Sequence, residues 1–508
     1  MQLHLQRLRG ERIFESDHLS YDLGGKSVRG GGVLLASQGI MVGTNLIRSV
    51  VLARLLTPDD YGLIGMVTVL VGFSVMFRDA GLSMATVQRA HITEAQISSL
   101  FWCNIVLSLG LGLLICISSP LVSLFYGKSE LTMITIALAI PFVFNGLQVQ
   151  HQALLRRHML FGQIAIIDII SNVIAIVAAV ILALKGARYW ALVGSSWAQA
   201  ISALYLTLFF CAWRPKRFQR GVGLRSMLAF GGHLTGFSFF NYFSRNLDSI
   251  LIGRFLGTGA LGVYQRAYTL MMQPLQQLNG PLSSVGAPAL SRLQEDPERY
   301  KKYFMQAGGL LLLITMPAAA FFIVMSREII LVLFGDRWEL AVKPFMYLSL
   351  SVIVQPLGNI TGWLFVSQGR AKDQMTWGLI GSTLTVASIA LGLLWGVDGV
   401  AACYSLGGLF VVTPVLYWFV GRRGFVTTAD LYCVIGRKII YFAVFFLLLL
   451  LGRLALRSLG ATNWSILLIM GISFSVCLGA TLFFAKDAEP LKRRFFDGIK
   501  TWRQRIAV

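Results

Sequence analysis

Arginines inside apolar segments are the residues of this sequence with the clearest chemical meaning. Arg48 and Arg78 each lie well within a stretch long enough to cross a bilayer, which takes about 20 apolar residues. A short turn with Pro58 and Gly62 joins the two stretches. A charged side chain at membrane depth is costly and persists where it faces a protein interior or a watery cavity. No catalytic group accompanies these cations, so the pattern predicts a path for an anion.

The composition indicates a polytopic membrane protein. The 508 residues are 56% hydrophobic and only 13% charged, whereas soluble proteins carry about 25% charged residues. The mean hydropathy of +0.69 agrees with this interpretation. The net charge of +21 does not require nucleic acid, because the cytoplasmic loops of membrane proteins collect Lys and Arg. We therefore expect membrane lipids, and no nucleic acid, as partners.

Apolar segments follow one another along the chain and predict an all-α polytopic membrane protein with about fourteen transmembrane helices. Lys and Arg are about three times as frequent in the loops on the side of the N-terminus as on the other side. This bias predicts that both termini are cytoplasmic. The predicted spans are 31–56, 62–87, 96–118, 131–154, 162–184, 189–213, 227–256, 262–290, 305–334, 341–366, 375–396, 398–420, 438–459 and 464–485.

An internal repeat divides most of these spans into two lobes. Residues 51–56 align without gaps to residues 251–256, and Gly62 aligns to Gly262 at the same offset. An even number of spans in each copy predicts parallel repeats, related by an axis along the membrane normal. The predicted organisation is a cytoplasmic N-terminal segment (1–30), an N-lobe (31–213), a cytoplasmic linker (214–226), a C-lobe (227–420), a cytoplasmic loop (421–437), two extra helices (438–485) and a basic cytoplasmic tail (486–508).

Several motifs carry a resemblance to a known family. They are residues 51–62, 87–89 with Phe101 and Trp102, and 154–157 in the first lobe, then 241–248, 252–257 and 288–293 in the second. The chain resembles polysaccharide-type flippases of the multidrug/oligosaccharidyl-lipid/polysaccharide exporter superfamily, of the Wzx kind and closest to the colanic-acid-exporter branch. The resemblance implies two lobes around a central cavity that opens alternately to each side of the bacterial inner membrane. It implies a lipid-diphosphate-linked oligosaccharide as cargo, usually on undecaprenol, for exopolysaccharide, O-antigen or capsule biosynthesis.

The resemblance also implies which arginines meet the diphosphate. In the related lipid II flippases, arginines on helices 1, 2 and 8 line the cavity, and Arg48, Arg78 and Arg266 lie on the corresponding helices here. Arginine suits this task because its planar fork makes bidentate contacts to phosphate and stays charged when buried. Arg245 is a further candidate for the cavity, although pairing with Asp248 three residues later is an alternative. The alternative for Arg266 is snorkelling to the outer interface.

Other polar residues within the spans are candidates for sugar or ion contacts. Asp168 and Asp248 are candidates for ion coupling, and the alternative for Asp168 is an ion pair with an arginine of another helix. The candidate glycan contacts have a structural alternative as well, because Asn side chains commonly form hydrogen bonds between membrane helices. These candidates are Asn45, Asn145, Asn241 and Tyr242.

Motifs for catalysis or cofactor binding are not convincing in this sequence. Residues 24–27 imitate the end of a P-loop, but Ser20 stands where the first glycine is needed and no strand precedes it. The six cysteines are scattered without metal spacing. We therefore predict that the protein is not an enzyme and uses no metal or cofactor.

Three other functions are considered as alternatives. A multidrug exporter of the same superfamily is the first, although cationic drugs favour acidic cavities and the spans here contain basic residues. A membrane-embedded polysaccharide polymerase or glycosyltransferase is the second, but such enzymes usually need a large loop. A structural scaffold is the third and would not need arginines in the bilayer. We expect a monomer, and cooperation with a polysaccharide polymerase is left open.

Overall fold

The computed structural model describes residues 23–78, 82–88, 92–219 and 224–484. The predicted candidates Arg78, Asn241 and Arg245 lie in described helices, but their side chains lie outside the described part. Most of the predicted N-terminal segment and the basic tail also lie outside it. The further positions where only the backbone is described are 23–31, 33–35, 75–77, 85, 88, 224–240, 243–244, 281 and 484.

The chain separates into two compact units, Met1–Gly262 and Val263–Val508. In the first unit, α4 packs along α5 and α6 packs along α7, while α1 packs against α6. The long helix α8 begins in this unit and ends in the second. The helices that begin in the first unit are α1 (Leu23–Leu55), α2 (Pro58–Arg78), α3 (Leu82–Gln88), α4 (Glu94–Tyr126), α5 (Glu130–Arg157), α6 (Phe161–Leu184), α7 (Trp190–Phe210) and α8 (Leu224–Ser291).

Local sequence signals set several of these helix ends. Thr93 and Gln96 form a capping box at the start of α4, which satisfies backbone N–H groups that have no partner within the helix. The same helix ends at Gly127, whose φ of 69° lies in the left-handed region that glycine adopts without strain. Pro58 is the first residue of α2, a position where its missing N–H costs nothing.

The second unit contains shorter helices joined by irregular turns. A bend of 42° separates Asp336–Ile353 from Gln355–Ser367, and a π-helical turn, Gly408–Val412, joins α14 to α15. The long helix α16 packs along α9. The helices that begin in this unit are α9 (Pro297–Val324), α10 (Ser326–Phe334), α11 (Val342–Leu350), α12 (Gln355–Ser367), α13 (Ala371–Gly392), α14 (Gly396–Gly407), α15 (Thr413–Gly421), α16 (Thr428–Ser458) and α17 (Asn463–Phe484).

The predicted all-α membrane fold is confirmed. In the described part of the chain, eight helices are long and apolar enough to cross a membrane, or nine if the bent pair counts as one span. Each of the fourteen predicted spans coincides with helical structure, but the count of fourteen crossings and the lobe boundaries stay predictions. The predicted spans 227–256 and 262–290 belong to one helix, α8, which is interrupted at Gly257 with φ 87°.

The two turns that the repeat relates lie against each other within the first unit. Thr258 Oγ1 donates a hydrogen bond of 2.5 Å to Asp59 Oδ1. A methyl group on Gly62 would lie 1.8 Å from the carbonyl oxygen of Thr258, and one on Gly262 would lie 1.9 Å from that of Pro58. The glycines that reveal the repeat in the sequence are therefore the positions of closest backbone approach.

We expect Gly62→Ala to lower stability by about 1–3 kcal/mol, the usual cost of overpacking a tight contact. The added methyl would collide with a backbone oxygen of Thr258, which cannot rotate away as a side chain can. Thermal unfolding of the purified protein in detergent measures the effect. Gly110→Ala on α4 is the control, because its methyl meets no atom within 4 Å. Equal unfolding temperatures for the two variants would contradict the close approach.

The chain after α7 folds back onto α4 and α5 of the same unit. The Trp213 ring lies 5.1 Å from the His151 ring and 5.9 Å from the Phe101 ring, between centroids. Lys216 Nζ lies 2.5 Å from a carboxylate oxygen of Glu94. These contacts fix the described beginning of the predicted linker against α4 and α5.

Candidate functional site

Arg48 lies on α1 and reaches across to α7. Its side chain is half-buried, and Nη2 donates a hydrogen bond of 3.0 Å to the hydroxyl of Ser195, which is fully buried. In the described part of the chain, no carboxylate lies within ion-pair distance of this guanidinium. A cation held by a neutral partner keeps its charge available for an anionic ligand.

Neighbouring polar side chains of α1 point toward α6. Asn172 on α6 is fully buried and donates hydrogen bonds of 3.1 Å to Asn45 Oδ1 and 3.2 Å to Thr44 Oγ1. Thr44 and Arg48 are four residues apart, so they share one face of α1. We call Thr44, Asn45, Arg48, Asn172 and Ser195 the α1 polar cluster.

Asn45 therefore has the interhelical hydrogen bond that the sequence left as an alternative to a sugar contact. Its partner Asn172 is 127 residues away, so nothing in the local sequence identifies the pair. Asn145 has a partner within its own helix, because Gln148 Nε2 donates to Asn145 Oδ1 at 2.7 Å. Asn45 and Asn145 remain candidate glycan contacts, and each already has a hydrogen-bond partner within the protein.

Tyr242, another candidate glycan contact, lies against α2. Its hydroxyl donates a hydrogen bond of 2.8 Å to the carbonyl oxygen of Val69. Its ring lies 5.9 Å from the Phe73 ring. A methyl group on Gly72 would lie 2.4 Å from the Tyr242 oxygen, so the small residue at that position makes room for the tyrosine. These contacts join α8 to α2 at Tyr242.

The two candidate acids differ in their surroundings. Asp248 is buried, and its Oδ1 accepts a 2.6 Å hydrogen bond from the backbone N–H of Ser249. Asp168 is exposed on α6, and the charged side chain that interacts with it electrostatically is Arg156. Within the described residues, Asp168 forms no ion pair within 4 Å.

The candidate arginines are distributed over both units. Arg48 belongs to the first unit, while Arg266 belongs to the second. Arg266 is half-buried on α8 and already takes part in side-chain interactions. Whether the four candidate arginines converge on one cavity therefore stays a prediction.

A buried charge cluster in the second unit is a feature that the sequence reasoning missed. The Glu328 carboxylate on α10 is fully buried, and its Oε1 accepts hydrogen bonds from Arg453 Nε at 2.9 Å and Arg457 Nη2 at 2.7 Å. Arg453 and Arg457 are four residues apart and share one face of α16. This spacing could have indicated a paired cationic site in the sequence, but it does not identify the acidic partner on another helix.

Comparisons with known proteins match the part of the chain that contains the motifs. A profile of a family described as "Polysaccharide biosynthesis protein" matches residues 51–343. The lipopolysaccharide biosynthesis protein WzxC of Escherichia coli (strain K12) is 25% identical over 392 residues, which are 75% of this chain and 78% of that protein. The succinoglycan biosynthesis transport protein ExoT of Rhizobium meliloti (strain 1021) is 27% identical over 476 residues, which are 92% of this chain and 94% of that protein.

Solved structures agree on the fold. The lipid II flippase MurJ, in an inward closed conformation, has a TM-score of 0.69 at 15% sequence identity, covering 89% of this chain and 99% of that chain. At this identity the likeness establishes the fold alone. The resemblance predicted from the motifs is confirmed.

Proposed function

Because the chain belongs to the polysaccharide biosynthesis protein family, we propose that it is a flippase that works by alternating access. Its cargo is a lipid-diphosphate-linked oligosaccharide repeat unit, carried across the bacterial inner membrane. The names of its relatives, which include a biosynthesis transport protein, support a transporter and not an enzyme. The MurJ-like fold is compatible with this function, but the fold by itself does not select the cargo.

Arg48 is the observation that most directly supports an anionic cargo. Its guanidinium is half-buried in an apolar helix and donates to the neutral Ser195 hydroxyl. A diphosphate must cross a low-dielectric region, where an uncompensated charge is very costly. A guanidinium lowers that cost through charge-assisted, bidentate hydrogen bonds to phosphate oxygens. The Ser195 hydroxyl orients one edge of the fork before the ligand arrives.

The remaining candidates complete this proposal. Arg78, Arg266 and Arg245 add positive charge around the diphosphate, and Asn145 is the favoured glycan contact because its partner Gln148 lies on the same helix. Asn45, Asn241 and Tyr242 are secondary candidates. Asp168 is favoured over Asp248 for ion coupling, since Asp168 is exposed and Asp248 is buried with a backbone donor.

Alternating access requires contacts that form in one state and break in another. We propose that the contact between the turns at Asp59 and Thr258, with Gly62 and Gly262 beside it, is one of these, on the side opposite the termini, which we place in the cytoplasm.

A transport assay with purified protein in liposomes tests the function. A fluorescent undecaprenyl-diphosphate oligosaccharide is placed in the membrane, and a soluble quencher reports its appearance in the opposite leaflet. We expect the protein to accelerate this appearance well above protein-free liposomes. We expect a monomer to suffice, with any polysaccharide polymerase acting on the delivered unit.

The same liposomes distinguish the rival function. A cationic dye of the multidrug type is the matched control cargo. Transport of the dye without movement of the lipid, with or without an imposed proton gradient, would replace the flippase by a multidrug exporter. Movement of the lipid alone would support the anionic cargo.

A further inference from the structure

A pocket between α9 and α16 has no role in the transport function proposed above. It has a volume of about 210 Å³ and belongs entirely to the second unit. Its residues recur at helical spacing on one face of each helix, so both faces look into the same space. The lining residues are Lys302, Met305, Gln306 and Gly309 of α9 with Val434, Arg437 and Lys438 of α16.

The pocket begins near the first turns of both helices. Lys301 Nζ lies 2.8 Å from Asp430 Oδ1, so the N-terminal ends of α9 and α16 lie side by side. At about 1.5 Å per residue, Lys302 is roughly 8 Å and Lys438 roughly 15 Å along their helices. The predicted spans begin at residues 305 and 438, so the pocket lies at the boundary between the headgroups and the hydrocarbon.

Among the described residues, the lining of the pocket is positively charged and contains no acidic side chain. Lys302 and Arg437 are exposed, whereas Lys438 is buried with 7% of its surface accessible. The nearby carboxylate of Asp430 is engaged by Lys301, and this hydrogen bond raises the pKa of the Lys301 amine. Within the described residues, no carboxylate lies within 4 Å of Lys302 or Arg437.

Lys438 is held in place from the apolar side of the pocket. Its Nζ lies 5.3 Å from the centroid of the Tyr441 ring, a cation–π distance that stabilises a desolvated ammonium. Tyr441 packs with Leu310 around the buried Leu313. The wall therefore changes from cationic to apolar along the helices, in the order in which a phospholipid presents its phosphate and its acyl chains.

We propose that this pocket binds the headgroup phosphate of an anionic phospholipid in the leaflet where α9 and α16 begin. Three cations supply charge-assisted hydrogen bonds to the phosphate, and Tyr441 with Leu310, about one turn farther along their helices than Lys438, continues as an apolar surface for the acyl chains. Basic pockets between membrane helices commonly bind such headgroups. A soluble phosphate would use the cations but not the apolar wall. The inference does not depend on the flippase function.

Lipid binding to the full-length protein in detergent tests the inference. Native mass spectrometry measures the affinity for phosphatidylglycerol, with phosphatidylcholine as the zwitterionic control and glycerol 3-phosphate as the soluble control. We expect Lys302→Gln combined with Arg437→Gln to weaken phosphatidylglycerol binding at least tenfold. The matched control combines Arg292→Gln with Lys372→Gln, two exposed cations outside the pocket, and we expect it to leave the affinity unchanged.

Several results would overturn the proposal. They are equal affinity for phosphatidylglycerol and phosphatidylcholine, equal losses in the two double variants, and equally tight binding of glycerol 3-phosphate. A preference for undecaprenyl phosphate over phosphatidylglycerol would assign the pocket to a different lipid and also overturn it. The single variant Lys302→Gln changes one exposed side chain and keeps the test open if the double variant does not fold. We expect it to weaken binding about threefold.

Discussion

Replacing Arg48 by alanine is expected to lower the rate of undecaprenyl-diphosphate oligosaccharide translocation about thirtyfold or more. Truncating one partner of a desolvated charge pair costs about 2–5 kcal/mol, and each 1.36 kcal/mol is about tenfold in rate. The loss falls mainly on transport, because Arg48 donates its hydrogen bond to the neutral Ser195 hydroxyl and no ion pair is broken. The initial rate in the liposome assay is the measurement.

Two further variants define what Arg48 contributes. Arg48→Lys keeps the charge but loses the bidentate fork, so we expect an intermediate rate. Arg217→Gln removes an exposed arginine of the same unit, and we expect the rate of the parent protein. An unchanged rate in correctly inserted Arg48→Ala protein would remove this residue from the cargo site and leave the flippase function standing. Loss of the rate in Arg217→Gln as well would point to a general effect of net charge.

Replacing Glu328 by alanine is expected to destabilise the second unit by about 3–5 kcal/mol, the cost of leaving buried charge without its partner. Glu328 is fully buried, and 18% of the Arg453 side chain is exposed. Arg457 is 41% exposed, so solvent screens much of its electrostatic interaction with Glu328. The free energy of unfolding in mixed detergent micelles measures the effect. We expect α16 to separate from α10 before the rest of the unit unfolds.

An exposed ion pair in the same unit is the matched control. Glu339 lies 2.8 Å from Arg327, with both side chains about half exposed, and such pairs contribute under about 1 kcal/mol. Glu339→Ala should therefore have a small effect. Combining Glu328→Met with Arg453→Leu should recover much of the stability, since apolar pairs often replace buried ion pairs well. Equal losses in Glu328→Ala and Glu339→Ala would show that burial of Glu328 contributes little.

The sequence by itself determined the elements of this protein. Long apolar stretches must become helices in a membrane, because lipid offers no partner for backbone N–H and C=O groups. The α8 interruption at Gly257 lies between two predicted spans. The alignment of Gly62 with Gly262 also predicted a repeat. The two glycines lie at one contact, where the backbones approach so closely that a side chain would collide.

Partners that are distant along the chain were decided only by the tertiary structure. The local sequence around Asn45 does not distinguish a sugar contact from a hydrogen bond to Asn172. Only the packing of α1 against α6 brings Asn172 within hydrogen-bond distance. Glu328 is an ordinary helical glutamate until α16 brings Arg453 beside it. Hydrophobic periodicity selects the buried face of a helix, but it does not encode which other helix covers that face. Ion pairs and amide hydrogen bonds between helices require distances of about 3 Å. They are therefore defined only once the helices are packed together.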